Sequence, residues 1–156
     1  SDREAREKFI RAKYQHKTFV NPTAISKPLL KLFDAASKGD YMMLLKLFAQ
    51  GVELETVDDI GRTPLHLATQ GGHMVAVQFL VFNRSNIAAV DRADRNALHY
   101  AADSGLNEIL SFLVKNCETN EPIHHKDASN QEPMDIAISN EHTECINVFL
   151  ESFSKN

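Results

Sequence analysis

Apolar residues in this chain fall into four clusters with the same internal spacing. They read Met43-Leu44-Leu47-Phe48, Ala76-Val77-Leu80-Val81, Ile109-Leu110-Leu113-Val114 and Cys145-Ile146-Phe149-Leu150. Each is an i, i+1, i+4, i+5 pattern, which lays one broad stripe along an α-helix. A second apolar series precedes each cluster. Its leading position is Leu32, Leu65, Leu98 and Met134, spaced 33, 33 and 36 residues apart. Three residues on stand Ala35, Ala68, Ala101 and Ala137. A side chain that ends at Cβ lets that helix approach a neighbour closely. The pattern predicts four helix pairs. Gly39, Gly72 and Gly105 fall where the first helix of a pair ends, and a left-handed C-cap suits glycine. Glu141 takes that place in the fourth pair and predicts a weaker cap there.

The leading positions sit in an echoed motif. Thr63-Pro64-Leu65-His66-Leu67-Ala68 returns as Asn96-Ala97-Leu98-His99-Tyr100-Ala101. A period near 33 with this motif resembles ankyrin repeats, which stack because no single unit buries its own apolar face. The resemblance covers roughly residues 27–156, and the first and last units depart from the motif as capping units do. It implies an all-α solenoid of about four helix-turn-helix units with short β-turn tips, preceded by an N-terminal helix. The expected bounds are 1–22 for that helix and linker and 23–156 for the repeats, divided near 28–58, 59–91, 92–127 and 128–156. Asp58, Asp91 and Asp127 recur after the second helices, where a carboxylate accepts bonds from the amides of a tight turn. Gly61, Asp94 and Asn130 follow three residues later, all types that tolerate positive φ. The three extra residues of the third unit fall within 118–126 and predict an exposed loop.

Composition narrows the class. Hydrophobic residues make up 43% of the chain, which indicates neither disorder nor a fibre. No apolar run is long enough to cross a bilayer, and no signal-peptide pattern opens the chain. Two cysteines, Cys117 and Cys145, make no disulfide framework and fit a reducing, cytoplasmic compartment. The net charge of −4 hides an asymmetry: residues 1–17 hold six Lys/Arg against three acids, leaving −7 for the rest. Two readings of the basic segment stand. One is a solvated helix face with Glu4–Lys8 and Glu7–Arg11 pairs. The other is a contact with acidic phospholipid headgroups, which would place the chain peripherally at membranes, or with a negatively charged partner surface or an upstream domain. Nucleic acid is not an expected partner, since the bulk of the chain is acidic.

That segment carries its own pattern. Phe9, Ile10 and Tyr14 form an apolar strip on a helix-forming stretch that Asn21-Pro22 ends. Glu7-Lys8-Phe9-Ile10-Arg11-Ala12-Lys13-Tyr14, followed by Phe19-Val20, is similar to the last helix of an ArfGAP domain. In the ACAP, ASAP and GIT types of that family, ankyrin repeats follow directly. The resemblance implies a GTPase-activating parent for Arf-type small GTPases whose activity lies upstream of Ser1. The family's four-cysteine zinc finger and catalytic arginine have no counterpart in this sequence. The chain as given is therefore expected to be non-catalytic, with no cofactor or metal. The alternative is a free-standing ankyrin inhibitor or adaptor that occludes an enzyme or transcription-factor surface.

Other chemistry is weak. His124-His125 with Cys117 and Asp127 matches no familiar zinc spacing. His66 and His99 share the motif position, and His73 and His142 share a register past the capping position, so all four read as architecture. No phosphate-cradling or nucleophile-elbow motif occurs. The expected site is a protein-binding concave face built from turn tips and first helices. Its positions are Val57, Asp59, Ile60, Arg62 and Gln70, then Val90, Arg92, Ala93, Arg95, Asp103 and Ser104, then Lys126, Ala128, Ser129, Gln131, Ser139 and Asn140. Ile60 is the expected anchor, and Arg92 and Arg95 are expected to meet acidic ligand groups. Phe149, Leu150 and Phe153 crowd the last helix: the favoured expectation is that one phenylalanine folds back as a cap, the alternative that this edge meets another surface.

Overall fold

Each helix pair closes with the same backbone device. In the computed structural model, which describes residues 27–154, the first helices are α1 (Lys27–Lys38), α3 (Pro64–Gln70), α5 (Ala97–Ser104) and α8 (Pro133–Ser139). Just past them Gly39, Gly72, Gly105 and Glu141 take φ of 73°, 77°, 72° and 59°. The next residue's N–H then donates back to Ala35, Ala68, Ala101 or Ala137, at 2.8 to 3.0 Å. This is the bond that satisfies a helix's last carbonyls. The repeating alanine thus serves twice, as a close-packing position and as the acceptor of the helix stop. Glu141 keeps the device complete. The weaker cap takes the form of a left-handed non-glycine residue, costing about 1 kcal/mol.

The second helices are α2 (Tyr41–Ala49), α4 (Met74–Phe82), α6 (Asn107–Lys115) and α9 (Thr143–Ser154). First helices stack in one row, α1 on α3 on α5 on α8, and second helices form the outer row. Contacts along the first row are denser than those between α2, α4 and α6, whereas α6 and α9 pack as closely as α3 and α5. The core lies between the rows. Leu32, Leu65, Leu98, Leu44, Val77, Leu80, Leu110, Leu113 and Phe149 are all buried. The described residues form an all-α repeat solenoid with no strand among them.

Two expectations need correction. The inserted segment is not an exposed loop. It folds as a short helix, α7 (Glu121–His124), with Pro122 and Ile123 buried. Burial of Ile123 against the core repays ordering the segment, and Asn96 Nδ2 donates to the Pro122 carbonyl at 3.0 Å. One of the second helices is also not simply one-striped. α4 (MVAVQFLVF) has a single polar residue, Gln78, and its apolar character runs all round. The last helix meets expectation. Phe149 is fully buried, and Phe153 folds back to stack on His124 with ring centroids 5.4 Å apart. The expected N-terminal helix and linker, with the 1–22 boundary, lie outside the described residues.

Candidate partner-binding face

Three turn tips line one edge of the stack, and one aspartate organises each. Asp58 Oδ1 accepts from the Ile60 and Arg62 amides at 3.1 and 2.8 Å. Asp91 Oδ1 accepts from Ala93 and Arg95 at 2.9 and 3.0 Å. Asp127 Oδ1 accepts from Ser129 and Gln131 at 2.9 and 3.0 Å. Gly61, Asp94 and Asn130 turn the chain with φ of 84°, 60° and 65°. Adjacent tips join through the backbone: Arg92 N donates to Ile60 O at 3.1 Å and Ala128 N to Ala93 O at 2.8 Å. A Cβ on Gly61 would sit 3.1 Å from Arg92 N, so this tip has little room for a side chain.

Histidines lock the tips to the first helices. The backbone N–H of Thr63 donates to His66 Nδ1 at 3.0 Å, and that of Asn96 to His99 Nδ1 at 3.1 Å. The ring proton therefore sits on Nε2. From there His66 donates to the Arg95 carbonyl at 2.9 Å and His99 to the Gln131 carbonyl at 3.0 Å. Each histidine ties its own helix start to the next unit's turn. Burial lowers the pKa of both. In the fourth unit Asp135 takes the ring's first task, accepting from Glu132 N at 3.0 Å. His73 and His142 join units at the other end of the first helices. Their Nε2 atoms bond the Ser37 and Asp103 carbonyls at 3.0 and 3.2 Å.

The expected binding positions fall along this edge. Asp59, Gln70, Arg92, Asp103, Ser104 and Lys126 are exposed, while Val57, Val90 and Gln131 are half-buried. Ala93, Ala128, Ser129, Ser139 and Asn140 are exposed as well. Ile60 is 44% exposed at its tip. Arg62 and Arg95 are half-buried and already paired. Arg62 Nε holds Asp58 at 2.9 Å, and its Nη1 reaches Gln70 at 3.3 Å. Arg95 Nε holds Asp127 at 3.2 Å, with Asp103 at 3.8 Å. Arg95 thus already meets two carboxylates of its own face while keeping part of its side chain exposed. Asn140 Nδ2 donates to Asp103 Oδ1 at 2.9 Å and extends the chain of polar contacts into the fourth unit.

Sequence reasoning missed Tyr100. It occupies the register of Leu67, its ring lies 5.0 Å from His66, and its hydroxyl donates to Asp91 Oδ2. Burial, then the Asp91 carboxylate, push its pKa well up. With Asp91 so occupied, Arg62 pairs within its own tip, whereas Arg95 reaches across to the next one. The signal was a phenol where the preceding unit has leucine.

Elsewhere the chemistry is inert. Burial pushes the Cys117 thiol up to about 11, so it is no thiolate at neutral pH. His124 pairs with Glu132 at 3.2 Å. Among the described residues no group of three His, Cys, Asp or Glu is arranged to hold a metal ion. None of their helices is long and apolar enough to cross a membrane.

Comparison with known proteins agrees with this architecture. Residues 32–123 match the family model described as ankyrin repeats (3 copies). An L-asparaginase of Dirofilaria immitis is 44% identical over 41% of this chain and 11% of its own length. Ankyrin repeat domain-containing protein 63 of Mus musculus is 37% identical over 53% of this chain and 20% of its own. A putative glutaminase 2 of Caenorhabditis elegans is 31% identical over 72% of this chain and 19% of its own. The chain thus spans a fifth or less of these relatives, and the matched part does not carry their named activities over to it. The periodic turns, the paired helices and the matched span together place this chain in the ankyrin-repeat family, whose stacked units serve as protein-interaction modules.

Proposed function

We propose that the chain recognises a protein segment along the tips and first helices, with Ile60 as the apolar anchor. The supporting observation is Ile60 itself. It is a β-branched apolar side chain left 44% exposed on a tip whose backbone is fully held by Asp58 and joined to the next tip. A rigid platform presenting one apolar anchor among polar groups has the make-up of an interaction hot spot. Around it Asp59, Gln70, Arg92, Asp103, Ser104, Lys126 and Gln131 offer polar contacts, and Val57 and Val90 offer apolar ones. The test uses monovalent peptides selected from a displayed library on the 156-residue chain. Ile60→Asp is expected to weaken them at least about tenfold with an unchanged melting temperature. Val75→Asp, on the outer face of α4, is expected to leave them unaffected. Peptides indifferent to Ile60→Asp would remove the site.

We further infer that the stack belongs to an ArfGAP-type parent. The support is the Phe9-Ile10…Lys13-Tyr14 stretch set directly before ankyrin repeats, a segment outside the described residues. On this reading the stack recruits cargo, scaffold or membrane partners in the cytoplasm, and the basic segment meets an upstream domain or an acidic membrane. The chemistry of GTP hydrolysis would lie in an upstream module with paired CxxC elements and an arginine finger. An Arf-type GTPase mixed with this chain alone is expected to hydrolyse GTP no faster than without it. Acceleration would overturn the reading.

A further inference from the structure

The outer faces of the second helices differ sharply along the stack. Three positions per helix, i, i+3 and i+7, lie on the outer side, all exposed except the half-buried Gln78 and Ser111. In α2 they are Met42, Leu45 and Ala49, and in α4 Val75, Gln78 and Phe82. In α6 they are Glu108, Ser111 and Lys115, and in α9 Glu144, Asn147 and Glu151. Met42 is 70% exposed, Phe82 67% and Val75 56%. Tyr41 and Phe48 flank Phe79 in edge-to-face contacts, and Phe82 meets Phe112 in another, so the patch is one continuous surface. An apolar outer face of this size on a soluble stack marks an interaction surface.

We propose that this face pairs with a second copy of the chain. The argument is self-complementarity. Consider two outer faces packed together about a twofold axis that runs along the stack and crosses the middle of each helix. Second helices then lie antiparallel, each over its own copy. The central positions meet themselves: Leu45 on Leu45, Gln78 on Gln78 and Ser111 on Ser111. Gln78, the only polar residue of α4, carries both an amide donor and a carbonyl acceptor, so two copies satisfy each other across the axis. The flanking positions exchange. Met42 covers Ala49, Val75 covers Phe82, and Glu108 meets Lys115 in both directions. A partner turned the other way would set Met42 over Glu108 and desolvate a carboxylate against sulfur and methylene. Beyond α6 the outer face turns acidic, and Glu144 would meet Glu151 of the other copy, so the favourable contact ends there. The exposed parts of Tyr41, Met42, Leu45, Phe48, Val75 and Phe82 amount to about 600 Å² per copy. Pairing removes about 1,200 Å², the lower bound for a specific interface.

The test is sedimentation velocity of the 156-residue chain across a concentration series, with circular dichroism melting of every variant. The wild type is expected to move from monomer to dimer. Gln78→Glu sets two carboxylates face to face on the axis and is expected to weaken association at least about tenfold at neutral pH, with recovery on acidification. Glu108→Lys alone weakens it, and Glu108→Lys with Lys115→Glu restores it. That rescue is specific to the antiparallel pairing and does not depend on any single variant. A monomer at all concentrations, the face being covered by another segment or another protein, overturns the proposal. So does a dimer that ignores both Gln78→Glu and the charge exchange.

Discussion

The turn tips and the outer faces of the second helices repeat on the same period and treat it differently. At the tips, Asp58, Asp91 and Asp127 make the same pair of amide bonds three times. On the outer faces, the same register passes from Met42 and Val75 to Glu108 and Glu144. The period preserves what the backbone needs, because an unsatisfied buried amide costs about 1–3 kcal/mol wherever it lies. It leaves free what only a partner can read. The tips present a rigid frame with variable contacts, whereas the outer faces present a chemical gradient along the stack.

The largest effect should come from the core that supports both regions. Leu98→Ala is expected to cost about 2–5 kcal/mol, measured by chemical denaturation, because Leu98 is fully buried between rows. The tips should come next, and unequally. Asp91→Ala leaves the Ala93 and Arg95 amides and the Tyr100 hydroxyl without their acceptor, and should lose about 2–3 kcal/mol. Asp58→Ala sits in a wetter tip and should lose less. Tyr100→Phe should shrink the Asp91→Ala loss, and an unchanged loss would mean that Tyr100 adds nothing to its tip.

A pH titration sharpens the same point. The lowered pKa values of His66 and His99, caused first by burial, mean that the unfolded chain takes up protons before the folded one does. Their contribution is full above the ordinary histidine value of 6.5 and is lost as pH falls through it toward the lowered folded-state values. The midpoint of urea unfolding should drop over that window, and His99→Gln should flatten the drop. The smallest effect is expected at the last helix stop. Glu141→Gly relieves the left-handed residue and should raise stability by about 1 kcal/mol.

Much of the frame was legible because it is local. The helix stops, the aspartate turns and the motif histidines each involve residues within six positions, or reach a neighbour at the repeat spacing. Ile123 was not legible, because one apolar residue inside Glu118–Lys126 gives no periodicity until the third dimension supplies its partners. Nor was the pairing of Arg95. Its partners Asp103 and Asp127 belong to different units and come together only when the units stack. The outer face was hidden for a further reason. A four-residue stripe accounts for burial toward the core, and that stripe leaves out Val75 and Phe82, whose exposure only the folded stack reveals.

Hydrogen exchange of the chain with and without a selected peptide tests the central claim most directly. Rigid tips that read a partner predict slowed exchange in 58–62, 91–95 and 127–131, with the outer helices unchanged. Protection confined to α2 and α4, with the tips untouched, would contradict it.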